Sequence, residues 1–509
     1  MGYINKKTIA KNSAFLYIRV LATLLISLWT TRFILRGLGV VDYGIYNVVA
    51  GFVVMFGVIS NTLSAAISRY VTFELGTGNL QRLRIIFKSS MTIQLLIALI
   101  VLLAAETLGV WFIDNKLNIP SDQLVAANWV FQFSVLAFII DLIKVPYNAL
   151  LIGYEKMDVF AILGIATAVG KLLISIIILY ISGERLIIYS FLLFIVSLLI
   201  LFYYIYYSHK KFGEVFGEKK YDFSILKEVF SFAGWNFIGS ISGLCRDQGV
   251  NILLNIFFGP VVNAARGIAM QVSGAATTFA NNIMMAVNPQ ITKAYASGDV
   301  KGALNLSNFG TRMGFAFMII VSTPILLNTP FLLNAWLGEV PEYSVAFVRL
   351  IIINAIIDVL STTTIILLLA TGKIKLYQIV VGSVTILNLP LSYLALKLGY
   401  SALSTIYIAI AASIATLILR LIFLKKEVKV SLRDYSASVL SKTLLASIVI
   451  FGPLMLLEYA GIISGEGIGI SILNIAICTA WSSIVSLSIL LDSIERQSIL
   501  RMVRNRIHV

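Results

Sequence analysis

The chain has 509 residues, of which 59% are hydrophobic and only 12% charged, and its mean hydropathy is +0.94. Soluble domains carry about 25% charged residues, so the composition excludes an ordinary water-soluble globule and makes lipid the main solvent. The formal net charge of +15 would point to nucleic acid on a soluble protein; here the basic residues fall in alternate loops, which is the positive-inside pattern of a membrane protein, and no nucleic-acid partner is expected.

A helix needs about 20 apolar residues to cross about 30 Å of hydrocarbon. Fourteen stretches meet that length, at roughly 12–38, 44–74, 84–112, 124–150, 157–181, 185–207, 225–258, 262–296, 303–328, 345–370, 374–397, 401–424, 437–458 and 468–491. The first is far longer than the apolar part of a signal peptide and has no clear small-residue cleavage site, so it reads as span one. With the N-terminus in the cytoplasm, one side of the membrane collects Lys6, Lys7, Lys11, Arg82, Arg84, Lys88, Lys156, Lys210, Lys211, Lys219, Lys220, Lys227 and Lys301. Lys373, Lys375, Lys425, Lys426, Lys429 and Arg433 and the arginines of the tail fall on the same side. The other side has Arg36, Lys116, Arg185, Arg266 and Lys397, together with Glu339, Glu342 and Glu466. Both termini are therefore predicted to be cytoplasmic.

Landmarks recur along the chain. Gly39-Val-Val-Asp-Tyr-Gly opens span two and Gly259-Pro-Val-Val-Asn opens span eight, an offset of 220 residues. Gly78-Asn-Leu and Gly298-Asp-Val follow those spans at the same offset, and Gly153-Tyr-Glu-Lys and Gly372-Lys-Ile-Lys are 219 apart. The repeats imply a six-span unit duplicated in order. Six is even, so the copies are parallel, and such halves face each other across a central cavity. The predicted fold is an all-α polytopic membrane protein of about 14 transmembrane helices. Residues 1–207 form an N-terminal six-helix lobe, 208–224 a basic cytoplasmic linker, 225–424 a second six-helix lobe, and 425–509 an appended helix pair with a cytoplasmic tail.

A charge at the bilayer centre costs at least about 2.5–3.5 kcal/mol, so embedded polar residues mark a cavity, an ion pair or a helix contact. Arg19, Thr23 and Thr30 share one face of span one, and Arg32 and Arg36 lie near its outer end, where they can snorkel. Gly57, Asn61, Ser64 and Ser68 share a face of span two. Span seven carries Asn236, Ser240, Gly243, Asp247 and Asn251 within about 80°, and span eight carries Gln271, Gly274, Thr278 and Asn282. Small and polar residues also glue helices in lipid, which is the plain reading of the Ser, Thr and Gly positions. Arg246 and Asp247 are adjacent, point about 100° apart and are not expected simply to neutralise each other. Asp141 and Lys144, three apart in span four, are expected to form a local pair. Among the embedded charges Arg19, Arg32, Arg69, Lys171 and Arg246 outnumber Asp141, Asp247 and Asp358, which suits an anionic substrate such as a diphosphate.

Several chemistries are unsupported. There is no GxxxxGK[ST] phosphate loop, no HExxH, and no dinucleotide fingerprint at Gly76-Thr-Gly78. The two histidines, His209 and His508, lie in a loop and the tail, and the isolated Cys245 and Cys478 read as packing residues. No catalytic residue, metal site or cofactor is expected. Tyr203, Tyr204, Tyr206 and Tyr207 read as an interfacial aromatic belt.

Asn12-Ser13 before span one, Arg36-Gly-Leu-Gly39 with Asp42-Tyr-Gly-Ile-Tyr46, the Ser68-Arg69 end of span two, and Gly372 with Asn388-Leu-Pro390 and Gly399 resemble the polysaccharide transporter family. These are the O-antigen type flippases of the multidrug/oligosaccharidyl-lipid/polysaccharide exporter superfamily. The resemblance covers essentially the whole chain. It implies a two-lobed bundle with a V-shaped cavity and alternating access. The implied substrate is a polyprenyl-diphosphate-linked oligosaccharide, moved across a bacterial inner membrane for lipopolysaccharide or capsule assembly. Fourteen spans fit this branch better than the drug antiporter branch, which usually has twelve. The resemblance makes Arg19, Arg32 and Arg246 the candidates for the diphosphate, with Asn61, Asn236, Gln271 and Asn282 as further cavity candidates. Asp247 is the candidate for coupling to Na⁺ or H⁺. Membrane lipids and a glycan polymerase or ligase are the implied partners, and the peptidoglycan-precursor flippase is a close cousin. The alternative is a Na⁺- or H⁺-coupled multidrug exporter of the same superfamily. A glycan polymerase or ligase is the reading from another class, disfavoured because the outward loops near 113–123 and 329–344 are short.

Overall fold

The computed structural model describes residues 6–217, 242–373, 375–429, 431–459, 468–492 and 495–496. Asn236 lies outside the described residues, as do the side chains of Asn61, Arg69 and Asn282. Among the described residues all regular structure is helical, and eleven helical stretches are long and apolar enough to cross a membrane.

The first helix, α1, runs Lys6–Val54 and is broken at Gly39. A turn at Met55 and Phe56, closed by bonds to the carbonyls of Phe52 and Val53, separates it from α2, Gly57–Thr77. Predicted span two is therefore two pieces: donors reach back three residues rather than four at this point, which tightens the helix locally. α3 spans Leu80–Ala104 and passes through a wide π-helical turn, Ala105–Gly109, into α4, Val110–Lys116. α5 (Leu124–Gly153), α6 (Met157–Ile177) and α7 (Arg185–Lys211) complete the first series. The chain after α7 folds back: Phe212 and Val215 are buried, Tyr154 stacks on Phe212 at 4.2 Å, and Arg84 Nε donates to the Glu214 carbonyl at 2.5 Å. The second series comprises α8 (Val250–Phe258), α9 (Pro260–Ala296), α10 (Val300–Leu327) and α11 (Thr329–Leu337). It continues with α12 (Ser344–Val359), α13 (Thr362–Ala370), α14 (Lys375–Lys397) and α15 (Ser404–Val428). After the short α16 (Leu432–Tyr435) come α17 (Ser441–Tyr459) and α18 (Ile468–Val485), the appended pair.

The duplication read from the sequence is also present in the backbone. Gly39 has φ 82° and ψ 173°, and Gly259 has φ 79° and ψ −174°. That region of backbone space is essentially closed to residues with a Cβ, so glycine is required at both breaks. The turns 39 residues further on match bond for bond. Asn79 N donates to the Glu74 carbonyl and its side chain accepts from Arg82 N at 3.0 Å. Asp299 N donates to the Ala294 carbonyl and its side chain accepts from Gly302 N at 2.8 Å. Each residue caps the helix that follows.

The helices are apolar on all sides, as membrane-embedded helices are. On α3, Ile93, Ile97 and Val101 are buried against α2 and α5, while Leu96, Leu99, Ile100 and Leu103 on the other face are exposed. In water that face would be a liability; in hydrocarbon it is the solvated side, and the backbone bonds are satisfied within each helix. The contacts divide the chain into two compact units, Met1–Gly267 and Ile268–Val509. In the second unit the appended pair packs on α10. Ala446, Ile450 and Leu454 of α17 and Cys478 and Val485 of α18 form one core with Phe315 and Ile319. Cys478 is thus a packing residue. Tyr203 and Tyr206 are exposed, as a belt requires, but Tyr204 is buried in the core of the first unit, because it lies on the opposite face of α7.

Candidate functional site

Arg19 sits on α1 where that helix meets α6. Its guanidinium carbon lies 4.3 Å from the centre of the Phe160 ring, and its Cδ packs against Gly164. A cation over an aromatic face is stabilised by the ring. The threonines that share its helix face do not extend this site as donors. Thr23 Oγ1 donates to the Arg19 carbonyl at 2.8 Å and Thr30 Oγ1 to the Ile26 carbonyl at 2.7 Å. Thr278 does the same toward Gly274. Hydroxyls in apolar helices find the preceding turn's carbonyl as the nearest acceptor. Arg32 is 5.8 Å from the ring of Trp29, which is 54% exposed, so Arg32 lies beside a lipid-facing aromatic.

The pair Arg246–Asp247 departs from the sequence reading. Arg246 Nε is 3.1 Å from Asp247 Oδ1, an ion pair between neighbours. Residues Cys245–Gly249 form a π-helical turn, and the long arginine side chain reaches across it to the neighbouring carboxylate. Arg266, on α9 and buried, donates Nη2 to the Asp247 carbonyl at 3.1 Å. Arg266, expected among the outward loop charges, is instead part of the protein interior. Asp247 therefore has a guanidinium on its carboxylate and a second one on its backbone. A cation or proton coupled through Asp247 would compete with Arg246.

Beyond Arg266 runs a ladder of asparagines, of which spacing along the spans marks only Asn251 as a polar-stripe residue. Asn263 Nδ2 donates to Asn251 O at 2.6 Å and to Asn251 Oδ1 at 2.9 Å. Asn255 Nδ2 donates to Asn263 Oδ1 at 3.1 Å, and Asn118 N donates to Asn255 Oδ1 at 2.9 Å. Asn251 Nδ2 reaches the Asn47 carbonyl at 3.4 Å. All of these belong to the first unit, and Gly44 of α1 lies directly against the Pro260 carbonyl. The signal available in the sequence was the i, i+4 spacing of Asn251 and Asn255 opposite Asn263 across a Gly-Pro break. The partners of Asn47 and Asn118 come from more than 130 residues away. Gln271 is half-buried on α9.

The expected Asp141–Lys144 pair on α5 is made. Close by, a cavity of about 190 Å³ inside the first unit is lined by Asp141, Lys171 of α6, Tyr46 of α1 and serines of α5 and α7.

A family profile described as "Polysaccharide biosynthesis protein" matches residues 9–297, and one described as "MatE" matches residues 238–394. The "Uncharacterized membrane protein EpsK" of Bacillus subtilis is 22% identical over 328 residues, a match spanning 64% of this chain and 64% of that protein. Among solved structures, the lipid II flippase MurJ in an inward closed conformation superposes with a TM-score of 0.68 at 15% identity, covering 94% of this chain and 98% of that one. The multidrug transporter DinF-BH gives a TM-score of 0.59 at 18% identity, covering 84% and 97%. These two likenesses are of fold. The family profile matches more than half of the chain, so the chain belongs to the polysaccharide biosynthesis protein family.

Proposed function

We propose that this protein is a flippase that carries a polyprenyl-diphosphate-linked oligosaccharide across the bacterial inner membrane by alternating access, for lipopolysaccharide or capsule assembly. The carrying observation is the surplus of arginine and lysine at membrane depth in a member of a polysaccharide family. Arg19, Arg32 and Arg246 are the residues assigned to the diphosphate, because guanidinium groups match phosphate oxygens in charge and fork geometry. Asn61, Asn236, Gln271 and Asn282 are assigned to sugar hydroxyls. Asp247 is assigned to Na⁺ or H⁺ coupling, with release of Arg246 as the first step. Membrane lipids surround the protein, a glycan polymerase or ligase receives the product, and both termini lie in the cytoplasm.

In a deletion strain, lipid-linked glycan should accumulate on the cytoplasmic leaflet and surface glycan should be lost. Arg19→Ala or Asp247→Ala restores at most about a tenth of the output that wild type restores, with normal protein levels; normal output from the double variant defeats the residue assignments. Unchanged lipid-linked glycan in the deletion strain defeats the flippase reading. The second reading, an ion-coupled multidrug exporter, draws on the MatE match, and ion-dependent dye efflux from cells making the protein is its test.

A further inference from the structure

The cavity of about 190 Å³ in the first unit holds a charge imbalance that the reading above does not use. It is walled by α1, α5, α6 and α7, with Tyr46, Ser134, Phe138, Asp141, Lys171 and Ser197 among its lining residues. Lys171 lies 14 residues into α6, about 21 Å along the helix axis, well inside the hydrocarbon. The Asp141 carboxylate attracts the Lys171 charge, but it is already bound by Lys144, which repels it. Among the described residues Lys171 has neither a hydrogen bond nor an ion pair, and its side chain is exposed to the cavity. Two lysines thus share one carboxylate.

The hydroxyls show the same imbalance. Ser190 spends its proton on the Ile187 carbonyl, as most embedded hydroxyls here do. Ser134 and Ser197 make no hydrogen bond to any described residue, although both line this cavity. An uncompensated ammonium at membrane depth is costly, and two unspent hydroxyls beside it supply the donors that an oxyanion needs. The volume is several times the about 30 Å³ share of one liquid water and below the about 300–1,000 Å³ of drug-sized pockets. It fits one charged group on a single sugar ring, not an oligosaccharide.

We infer that this cavity is an oxyanion site, in which Lys171 supplies the charge and Ser134 and Ser197 the hydrogen bonds for one carboxylate or phosphate group. The assignment of that group to the transported glycan rests on the flippase reading; the binding chemistry does not.

The test is a binding titration of the full-length, detergent-solubilised protein with glucuronate, inorganic phosphate and, as neutral control, glucose. Saturable binding of glucuronate or phosphate, without binding of glucose, is expected. Lys171→Gln should weaken it at least about tenfold, the loss typical of a charge-assisted hydrogen bond, while Lys171→Arg retains most of it. Ser134→Ala and Ser197→Ala should each weaken it severalfold, and they carry the test if Lys171→Gln does not fold. Tighter binding of glucuronate assigns the group to the glycan, and tighter binding of phosphate assigns it to a free anion; both support the site. Equal binding by wild type and Lys171→Gln, or no binding of either anion, overturns it. The leaflet assay is read separately. Anion binding by a protein that moves no lipid-linked glycan would overturn the flippase reading and leave the site standing.

Discussion

Arg312 shows how far apart in sequence the partners of one buried charge can lie. It is 5% exposed on α10, and its Nη2 donates to Glu495 Oε1 at 2.6 Å and to Asp492 Oδ2 at 3.4 Å, beyond α18. Its Nη1 donates to the Ser438 carbonyl at 3.3 Å, and Lys442 reaches Asp492 at 2.5 Å. The hydrogen bond from Lys442, with the charge of Arg312, holds the Asp492 carboxyl below its ordinary 3.8 against the opposing effect of burial. A depressed carboxyl stabilises the fold fully above the unfolded value and loses that contribution as pH falls through the lower folded value. Asp492→Asn should therefore lower the melting temperature at pH 7, and the gap to wild type should close below about pH 3.8. Arg312→Met should cost about 1–3 kcal/mol in the same melting experiment, less than a fully buried pair would, because Asp492 keeps 54% of its side-chain surface open. A variant as stable as wild type would show that the tail contact contributes nothing to the docking of the appended pair.

At the scale of the element, the helix breaks matter more than the helices. Gly39 and Gly259 hold matching backbone angles, φ 82° and 79°, at matching places in the two copies. A residue with a Cβ in that region carries strain of about 1–3 kcal/mol. Gly39→Ala and Gly259→Ala should each lower thermal stability by that order, and by similar amounts. Loss at only one of the two sites would show that the second break has been relieved by its surroundings. The repeated glycines were legible in the sequence because a backbone need selects a single residue type. The π-helical turn at Cys245–Gly249 was not, since no residue in Cys-Arg-Asp-Gln-Gly demands it. The pairing of Arg246 with Asp247 is likewise set by side-chain conformation and not by helix spacing.

For the whole molecule, the decisive quantity is orientation, and the bias of lysine and arginine between alternate loops predicts it. Single cysteines introduced in a cysteine-free background test it with a membrane-impermeant thiol reagent added to intact cells. Glu342→Cys, on an exposed loop position, should be labelled from outside, and Lys210→Cys, exposed at the end of α7, only after the membrane is opened. The reverse pattern would invert the topology and with it the direction proposed for transport.

The sequence by itself determined that the chain is an all-helical membrane protein, where most of its spans run, that a unit is repeated at an offset of 220, and to which family it belongs. Those are properties of composition, spacing and local backbone need, which every residue reports without knowing its distant neighbours. Only the tertiary structure decided which embedded charges are spent and which are open. Arg266 and Arg312 are consumed by carbonyls and carboxylates up to 183 residues away, and Thr23 and Thr30 by their own helix. Arg19 rests on an aromatic ring and Lys171 faces a cavity. The reason is physical: in lipid the worth of a polar group depends on whether a partner lies within about 3 Å of it, and that partner is set by how helices distant in sequence pack together.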